Sequence, residues 1–249
     1  MIDREFEEQR RENIAALSRS ERLSGLTREW IAAAQDAKYS YNFDWLGLPI
    51  IQYPQDIVAM QELVWSVKPE LIIETGIARG GSAIFYASLL ELIAICSGQQ
   101  GELVAIDIDI RAPNRKAIEA HALSRRIRMI EGSSISADII EQVRQFAKAK
   151  SRVLVCLDSN HTHDHVLAEL RAYAPLVTPG SYVVVFDTIV EDLPADGFAN
   201  RPWGRGNNPK TAVHQFLKEN SEFEIVCAVH DKLQISVAPD GFLRRKQRQ

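Results

Sequence analysis

From residue 70 onward the chain alternates between two rhythms. Short, mostly apolar runs recur at ELIIET (70–75), ELVAIDI (102–108), IRMIEG (127–132), RVLVCLD (152–158) and SYVVVFD (181–187). Between them, residues 80–95, 113–124, 135–149 and 163–174 carry apolar positions at helical spacing. Runs that are apolar on both faces belong inside a parallel sheet covered by helices. The pattern predicts an α/β domain with a doubly wound, mostly parallel sheet. A last helix is expected at 209–219, and FEIVCAVHDKLQISVAP (223–239) reads as a β-hairpin turning near His230–Asp231, which brings the sheet to seven strands.

Upstream, residues 3–38 read as helical and amphipathic, with Ile14, Leu17, Leu23, Leu26, Trp30 and Ile31 as the apolar stripe. The aromatic stretch YSYNFDWLGLPIIQYPQD (39–56) reads as an ordered loop, with Asp56 placed to cap the helix IVAMQELVWSVK. Tyr39, Tyr41, Phe43 and Trp45 either line an acceptor pocket or pin the N-terminal helices. Residues 188–206 are irregular and rich in Gly, Pro and Asp, as a functional lid often is. In the basic and aromatic stretch 201–210, Trp203 and Arg205 are candidates to close over an acceptor, and Asn207 or Asn208 to cap the next helix. The division expected is an N-terminal helical extension with an acceptor or oligomer-contact loop (1–55) and a main domain (56–249) with lid 188–206.

Composition narrows the partners. The chain has 249 residues, is 46% hydrophobic and 25% charged, and carries a formal charge of -4. Such a balance gives no reason to expect nucleic acid or an anionic membrane surface. No apolar run approaches the ~20 residues of a membrane span, and the charged start MIDREFEEQRREN has no signal-like apolar core. Three widely spaced cysteines, Cys96, Cys156 and Cys227, fit free thiols in a reducing cytoplasm. The amphipathic N-terminal helices suggest a homo-oligomer.

Doubly wound sheets bind ligands beyond the carboxyl ends of their strands. Those ends here carry Glu74, Asp107, Glu131, Asp158 and Asp187. Acidic residues are poor strand formers, so their repetition along one edge points to a site. The first turn, ETGIARGGSA (74–83), uses Gly76 for a tight bend and Gly80–Gly81 for close backbone approach. Its spacing is not GxGxxG, so a nucleoside ligand without a pyrophosphate suits it better than a dinucleotide. Asp107, ending the second strand, is placed to accept from two ribose hydroxyls. A glycine turn that only lets a helix pack on the sheet is the simpler alternative.

The segments YNFDWLGLPIIQYPQD, IIETGIARGGSAIFYAS, LDSNHTHDHVLAELRAYAPLVTPGSYVVVFDT and RPWGRGNNPKTAVHQFL resemble the cephalosporin hydroxylase family, from about residue 39 to 238. That family is similar to S-adenosylmethionine-dependent O-methyltransferases, including sugar methyltransferases of macrolide and glycolipid pathways. The resemblance implies a class I methyltransferase (Rossmann-like) fold and a small hydroxylated acceptor, such as a sugar or glycosylated natural product. It implies that Glu74, Gly76, Gly80, Gly81, Ser82 and Asp107 surround S-adenosylmethionine, with Ser133 near the adenine. Arg79 in the same turn and Asp158 are counted with them. It also implies Mg²⁺ held by three acids, one matching Asp158 and two consecutive ones, Glu-Asp, at the end of the next strand.

Here the sequence departs from the family, because Phe186 stands where the first of that pair is expected and only Asp187 remains. Two carboxylates on adjacent parallel strands, ~4.8 Å apart, can still share a hard cation with waters. Glu191 or Asp192 folding back from the lid is an alternative, and so is a site without metal. In D-S-N-H (158–161), His161 matches the histidine that is the proposed base in related sugar methyltransferases. An imidazole titrates near neutrality and can take a hydroxyl proton. His163 and His165 read as surface residues of a helix start, capped by Asn160 or Thr162. A zinc hydrolase is disfavoured because H-x-H-x-H lacks the i, i+4 glutamate logic of such sites. Two further readings stay open: a hydroxylase or oxidoreductase, as the family name suggests, and a non-catalytic cofactor-binding subunit, made plausible by Phe186.

Overall fold

The computed structural model describes residues 3–247. Helices α1 (Arg4–Ser18) and α2 (Glu21–Asp36) lead through a 3-10 turn to a small hairpin, β1 (Phe43–Trp45) and β2 (Leu48–Ile50). Helix α3 (Pro54–Val67) precedes the alternating body: β3 (Leu71–Thr75), α4 (Gly81–Ser97), β4 (Glu102–Asp107), α5 (Ala112–Ala120), β5 (Ile127–Glu131), α6 (Ala137–Ala147), β6 (Val153–Leu157), α7 (His163–Tyr173) and β7 (Tyr182–Val185). The chain closes with α8 (Pro209–Glu219), β8 (Phe223–Ile225), α9 (Cys227–Leu233) and β9 (Phe242–Arg245).

The seven-stranded sheet has the order β5-β4-β3-β6-β7-β9-β8. Strands β3 to β7 run parallel, and β9 is antiparallel to both β7 and β8. Alternation along each strand divides the core in two. Ile72, Leu103, Ala105, Leu154, Cys156 and Val184 face the layer of α3, α4 and α5. Ile73, Val104, Ile106, Val155, Val183 and Val185 face α6, α7 and α8. Chain order reverses between β3 and β6, so the crevice of this doubly wound sheet opens beyond Thr75 and Leu157.

Three expectations are corrected. The 223–239 segment is not a hairpin of two strands: Cys227–Leu233 is helical, and the antiparallel partner of β8 is β9, farther on. Val229 and Leu233, four residues apart, put one helical face on the core. Residues 3–38 are helical as expected, in two segments divided where the Ser20 side chain accepts the Leu23 N–H at 3.3 Å to cap α2. Of the proposed stripe only Ile31 is buried; Leu23, Leu26 and Trp30 are exposed.

Asp56 does not cap α3, which begins at Pro54 with Tyr53 in the cap position. Instead it is fully buried and accepts from Ser236 Oγ at 2.6 Å and from the Val237 N–H at 2.9 Å. That contact ties the segment before β9 to the face of α3. Among the described residues no helix is long and apolar enough to cross a membrane.

Candidate active site

The glycine turn closes on itself. Gly76 (φ +93°), Ala78 (φ 46°) and Gly80 (φ +89°) all adopt left-handed backbone. A Cβ on Gly76 would lie 2.0 Å from the Asp158 carbonyl oxygen, and one on Gly81 2.3 Å from that of Pro49. Both positions therefore bring backbone to backbone, as a close-packed ligand turn requires. Ala78 pays for its conformation with two partners: its N–H donates to Asp107 Oδ2 at 3.2 Å, and its carbonyl accepts from Asn114 Nδ2 at 2.6 Å.

Asp107 is engaged within the turn itself. Its carboxylate accepts from the N–H groups of Ile77 (2.8 Å), Ala78 and Asp109 (3.2 Å). A carboxylate has about four lone-pair sites, so acceptor capacity toward a ligand remains. Glu74 is 2% exposed, and its Oε2 has no hydrogen-bond partner. Burial pushes its pKa up to about 8, with Asp107 adding to the rise and the Ser82 hydroxyl opposing it. A buried carboxyl with an orphan oxygen at the crevice is a site for a polar ligand. Arg79 is exposed on this turn, Ser82 is half-buried at the start of α4, and Ser133 is half-buried beyond β5. Glu131 is turned away, paired with Arg115 at 2.6 Å.

Across the crevice, Asp158 follows β6, whose loop is held to β3 by the Asp158 N–H on the Thr75 carbonyl at 2.9 Å. Asp187 follows β7 with φ 55° and begins a 3-10 turn. Asp158, His161 and Asp187 each offer a ligand atom, and these atoms all lie within 4.8 Å of one another. His161 Nε2 is 3.4 Å from Asp187 Oδ2. Burial holds the Asp158 carboxyl well above the usual range, and Asp187, Glu74 and Glu169 raise it further; only the Gln52 amide, 3.0 Å away, pulls it down. A carboxyl so placed lacks a positive partner, which is the electrostatic setting of a cation site.

Phe186 is 3% exposed, its ring packed in the core. The third donor atom near the two aspartates is thus the imidazole of His161. Neither Glu191 nor Asp192 folds back: Glu191 accepts from Gly206 N–H and Asn208, and Asp192 pairs with Lys210 at 2.6 Å. Asn208 caps α8 in a reciprocal capping box, while Asn207 accepts from the His163 N–H.

His161 and Asp187 open into a cavity of about 380 Å³ that Tyr39, Tyr41, Tyr53, Arg201 and Trp203 also line. The His161 ring meets Trp203 edge-on at 4.9 Å, and the Arg201 guanidinium lies 5.3 Å above the Trp203 ring. Arg205 lies outside this cavity, near Glu191. Of the loop aromatics, Trp45 serves packing, against Phe85 and with its Nε1–H on Ser88. Tyr39 both lines the cavity and joins the Trp30–Tyr53 cluster.

The other two histidines are not free surface residues. His163 is held by Thr211 Oγ1 (2.8 Å) and Gln215 Oε1 (3.0 Å), joining α7 to α8. His165 Nε2 lies 3.2 Å from both Ser134 Oγ and Ser159 Oγ. Gln52, Asn114 and the fully buried Glu169 were not legible as site residues, because each acts through a partner distant in sequence or on a neighbouring turn.

The family model Rhamnosyl O-methyltransferase/CmcI matches residues 37–246. The rhamnosyl O-methyltransferase of Mycobacterium leprae is 31% identical over 205 residues, 81% of this chain and 82% of that protein. That of Mycobacterium bovis is 28% identical over 205 residues, 81% and 77% of the two chains. A CmcI structure without ligand has TM-score 0.57 at 16% identity, covering 84% of this chain and 78% of that one. A second, with Mg and S-adenosylmethionine, has TM-score 0.56 at 18% identity, covering 82% and 77%. Those likenesses confirm the class I methyltransferase fold. The chain belongs to the rhamnosyl O-methyltransferase/CmcI family and is an S-adenosylmethionine-dependent O-methyltransferase.

Proposed function

We propose that this enzyme methylates a hydroxyl of a polyhydroxylated small molecule, a sugar or a glycosylated natural product, with His161 as general base and Mg²⁺ held by Asp158 and Asp187. The carrying observation is that these three side chains converge within 4.8 Å at the mouth of an aromatic-lined cavity of sugar-sized volume. Aromatic rings with a few polar groups suit the alternating apolar and hydroxyl faces of a sugar.

Glu74, Gly76, Arg79, Gly80, Gly81, Ser82, Asp107 and Ser133 are the residues assigned to S-adenosylmethionine, with Asp158 at its edge. The orphan Glu74 oxygen and the glycine backbone that admits no Cβ support that assignment. S-adenosylmethionine supplies an electrophilic methyl group when bound. A divalent cation supplies Lewis acidity toward the acceptor's oxygens. The chain's own residues do the rest. His161, oriented by Asp187 at 3.4 Å, takes the proton of the acceptor hydroxyl. Trp203 and Tyr39 hold the acceptor and exclude water from the crevice.

The division into an extension (1–55) and a methyltransferase domain (56–249) with lid 188–206 belongs to the same reading; the lid is supported by Arg201 and Trp203 lining the cavity. The exposed Leu23, Leu26 and Trp30 on α2 support homo-oligomer formation, and three free thiols support a cytoplasmic setting. Neither nucleic acid nor membrane is assigned as a partner. A hydroxylase is less favoured, because one histidine with two carboxylates departs from the two-histidine, one-carboxylate set of non-haem iron oxygenases. Methyl-transfer assays over a panel of sugars and glycosides, with and without chelator, test the reading: turnover confined to hydroxylated acceptors and lost in chelator is expected.

A further inference from the structure

Behind the catalytic loop lies a polar cluster that the chemistry above does not use. Between Asp158 and His161, the Ser159 hydroxyl is bonded into α7. It donates to Glu169 Oε1 at 2.7 Å. Glu169 is fully buried, and its second oxygen has no partner. Because the Ser159 proton goes to Glu169, its oxygen is left to accept. His165 Nε2 lies 3.2 Å from that oxygen and 3.4 Å from Glu169 Oε1, so a proton carried on this nitrogen is shared within the cluster. The same nitrogen lies 3.2 Å from Ser134 Oγ, in the loop that leaves β5. Four residues beyond Glu169, the Tyr173 hydroxyl donates to the Ser134 carbonyl at 2.5 Å.

His165, Glu169 and Tyr173 recur every four residues on one face of α7, so a single rigid helix face grips two loops. One loop carries Asp158 and His161. The other carries Ser133, assigned above to the adenine side of the cofactor. We propose that His165 and Glu169 are positioning residues that set the spacing of these two loops, so that cofactor affinity and methyl transfer are coupled through α7. This rests on the functional reading above, which places the cofactor and the base on those loops. Neither residue need touch a reactant. Their effect is to fix the register in which His161 meets the cofactor, where small misplacements are costly in rate.

The test pairs His165→Leu, which removes the donor, with His165→Gln, whose amide N–H can replace it. S-adenosylhomocysteine affinity by calorimetry and turnover at saturating acceptor are measured well below each variant's melting temperature. His165→Leu is expected to lower turnover about tenfold and affinity about fivefold, as loss of a bond shared by the buried Ser134 and half-buried Ser159 hydroxyls would. His165→Gln is expected to recover most of both. If His165→Leu does not fold, Ser134→Ala, which removes one acceptor of the same N–H, is expected to lower both readouts about threefold. Turnover and affinity within twofold of the parent in the folded variant overturn the proposal, as does loss of melting temperature alone. The parent's own turnover reports separately on the functional reading, since a parent that transfers no methyl group refutes that reading while calorimetry still scores the coupling to cofactor binding.

Discussion

His161 Nε2 stands 3.4 Å from Asp187 Oδ2, while its ring lies nearly perpendicular to that of Trp203 at a centroid distance of 4.9 Å. One imidazole is thus aimed by a carboxylate at one strand end and by the Trp203 ring. Such an arrangement suits a base that must stay oriented as it gains charge. His161→Ala is expected to cut turnover by about 10²–10⁴-fold and to leave calorimetric S-adenosylmethionine affinity within a few-fold of the parent. Unchanged turnover would remove His161 from the mechanism.

Because His161 shares its neighbourhood with both aspartates, the identity of the cation decides its fate. Mg²⁺ prefers oxygen and leaves the imidazole free, whereas Zn²⁺ takes imidazole readily. Mg²⁺ is expected to stimulate methyl transfer and Zn²⁺ to inhibit it. In Asp187→Asn, calorimetric Mg²⁺ binding weakens strongly. Equal stimulation by both ions would contradict the arrangement.

Glu74 and Asp56 give the ligand-free protein an unusual pH dependence. Burial pushes Glu74 from 4.5 up to about 8 and Asp56 from 3.8 up to about 7, the latter against its bonds to Ser236 and Val237. Each group keeps a proton in the folded chain that the unfolded chain has already released. Folding therefore binds protons in this window, and stability falls as pH rises from about 4 toward about 8. The melting temperature of ligand-free protein is expected to drop across that range, with a shallower slope in Glu74→Gln. A parent whose melting temperature rises steadily from pH 5 to pH 8 would rule this out.

Gly76→Ala tests the cradle. At φ +93° an added Cβ would sit 2.0 Å from the Asp158 carbonyl oxygen, so backbone must move. A loss of stability of more than about 1 kcal/mol is expected from the backbone conformation alone, together with loss of cofactor binding. Denaturant melts and calorimetry read the two effects, and an alanine variant that binds normally would show that the turn has room to spare.

The fold was legible because β3 to β7 carry their own signal: short apolar runs at regular spacing, ended by acids that a sheet interior rejects. Residues 226–239 were misread because short apolar runs fit helix and strand equally well. Packing of Val229 and Leu233 on the core makes Cys227–Leu233 helical, and FLRR (242–245), for which no element was expected, supplies the strand. In the candidate site, Asp158 and Asp187 could be named from strand ends, and His161 from the resemblance of D-S-N-H to related sugar methyltransferases. What could not be read was how they meet. The buried Phe186 ring and the approach of the His161 imidazole to both carboxylates exist only once β6 and β7 lie side by side. Asp56 reaching across 180 residues to Ser236, and Glu169 reaching to Ser159, need the folded chain to bring partners together.

The central claim is transfer of a methyl group to an acceptor oxygen. Incubation with methyl-labelled S-adenosylmethionine, Mg²⁺ and a sugar or glycoside acceptor, followed by mass spectrometry of both products, tests it most directly. One labelled methyl group on an acceptor hydroxyl is expected for each S-adenosylhomocysteine formed, with the yield collapsing in His161→Ala. An acceptor that gains an oxygen instead, or S-adenosylhomocysteine released without any labelled acceptor, would contradict it.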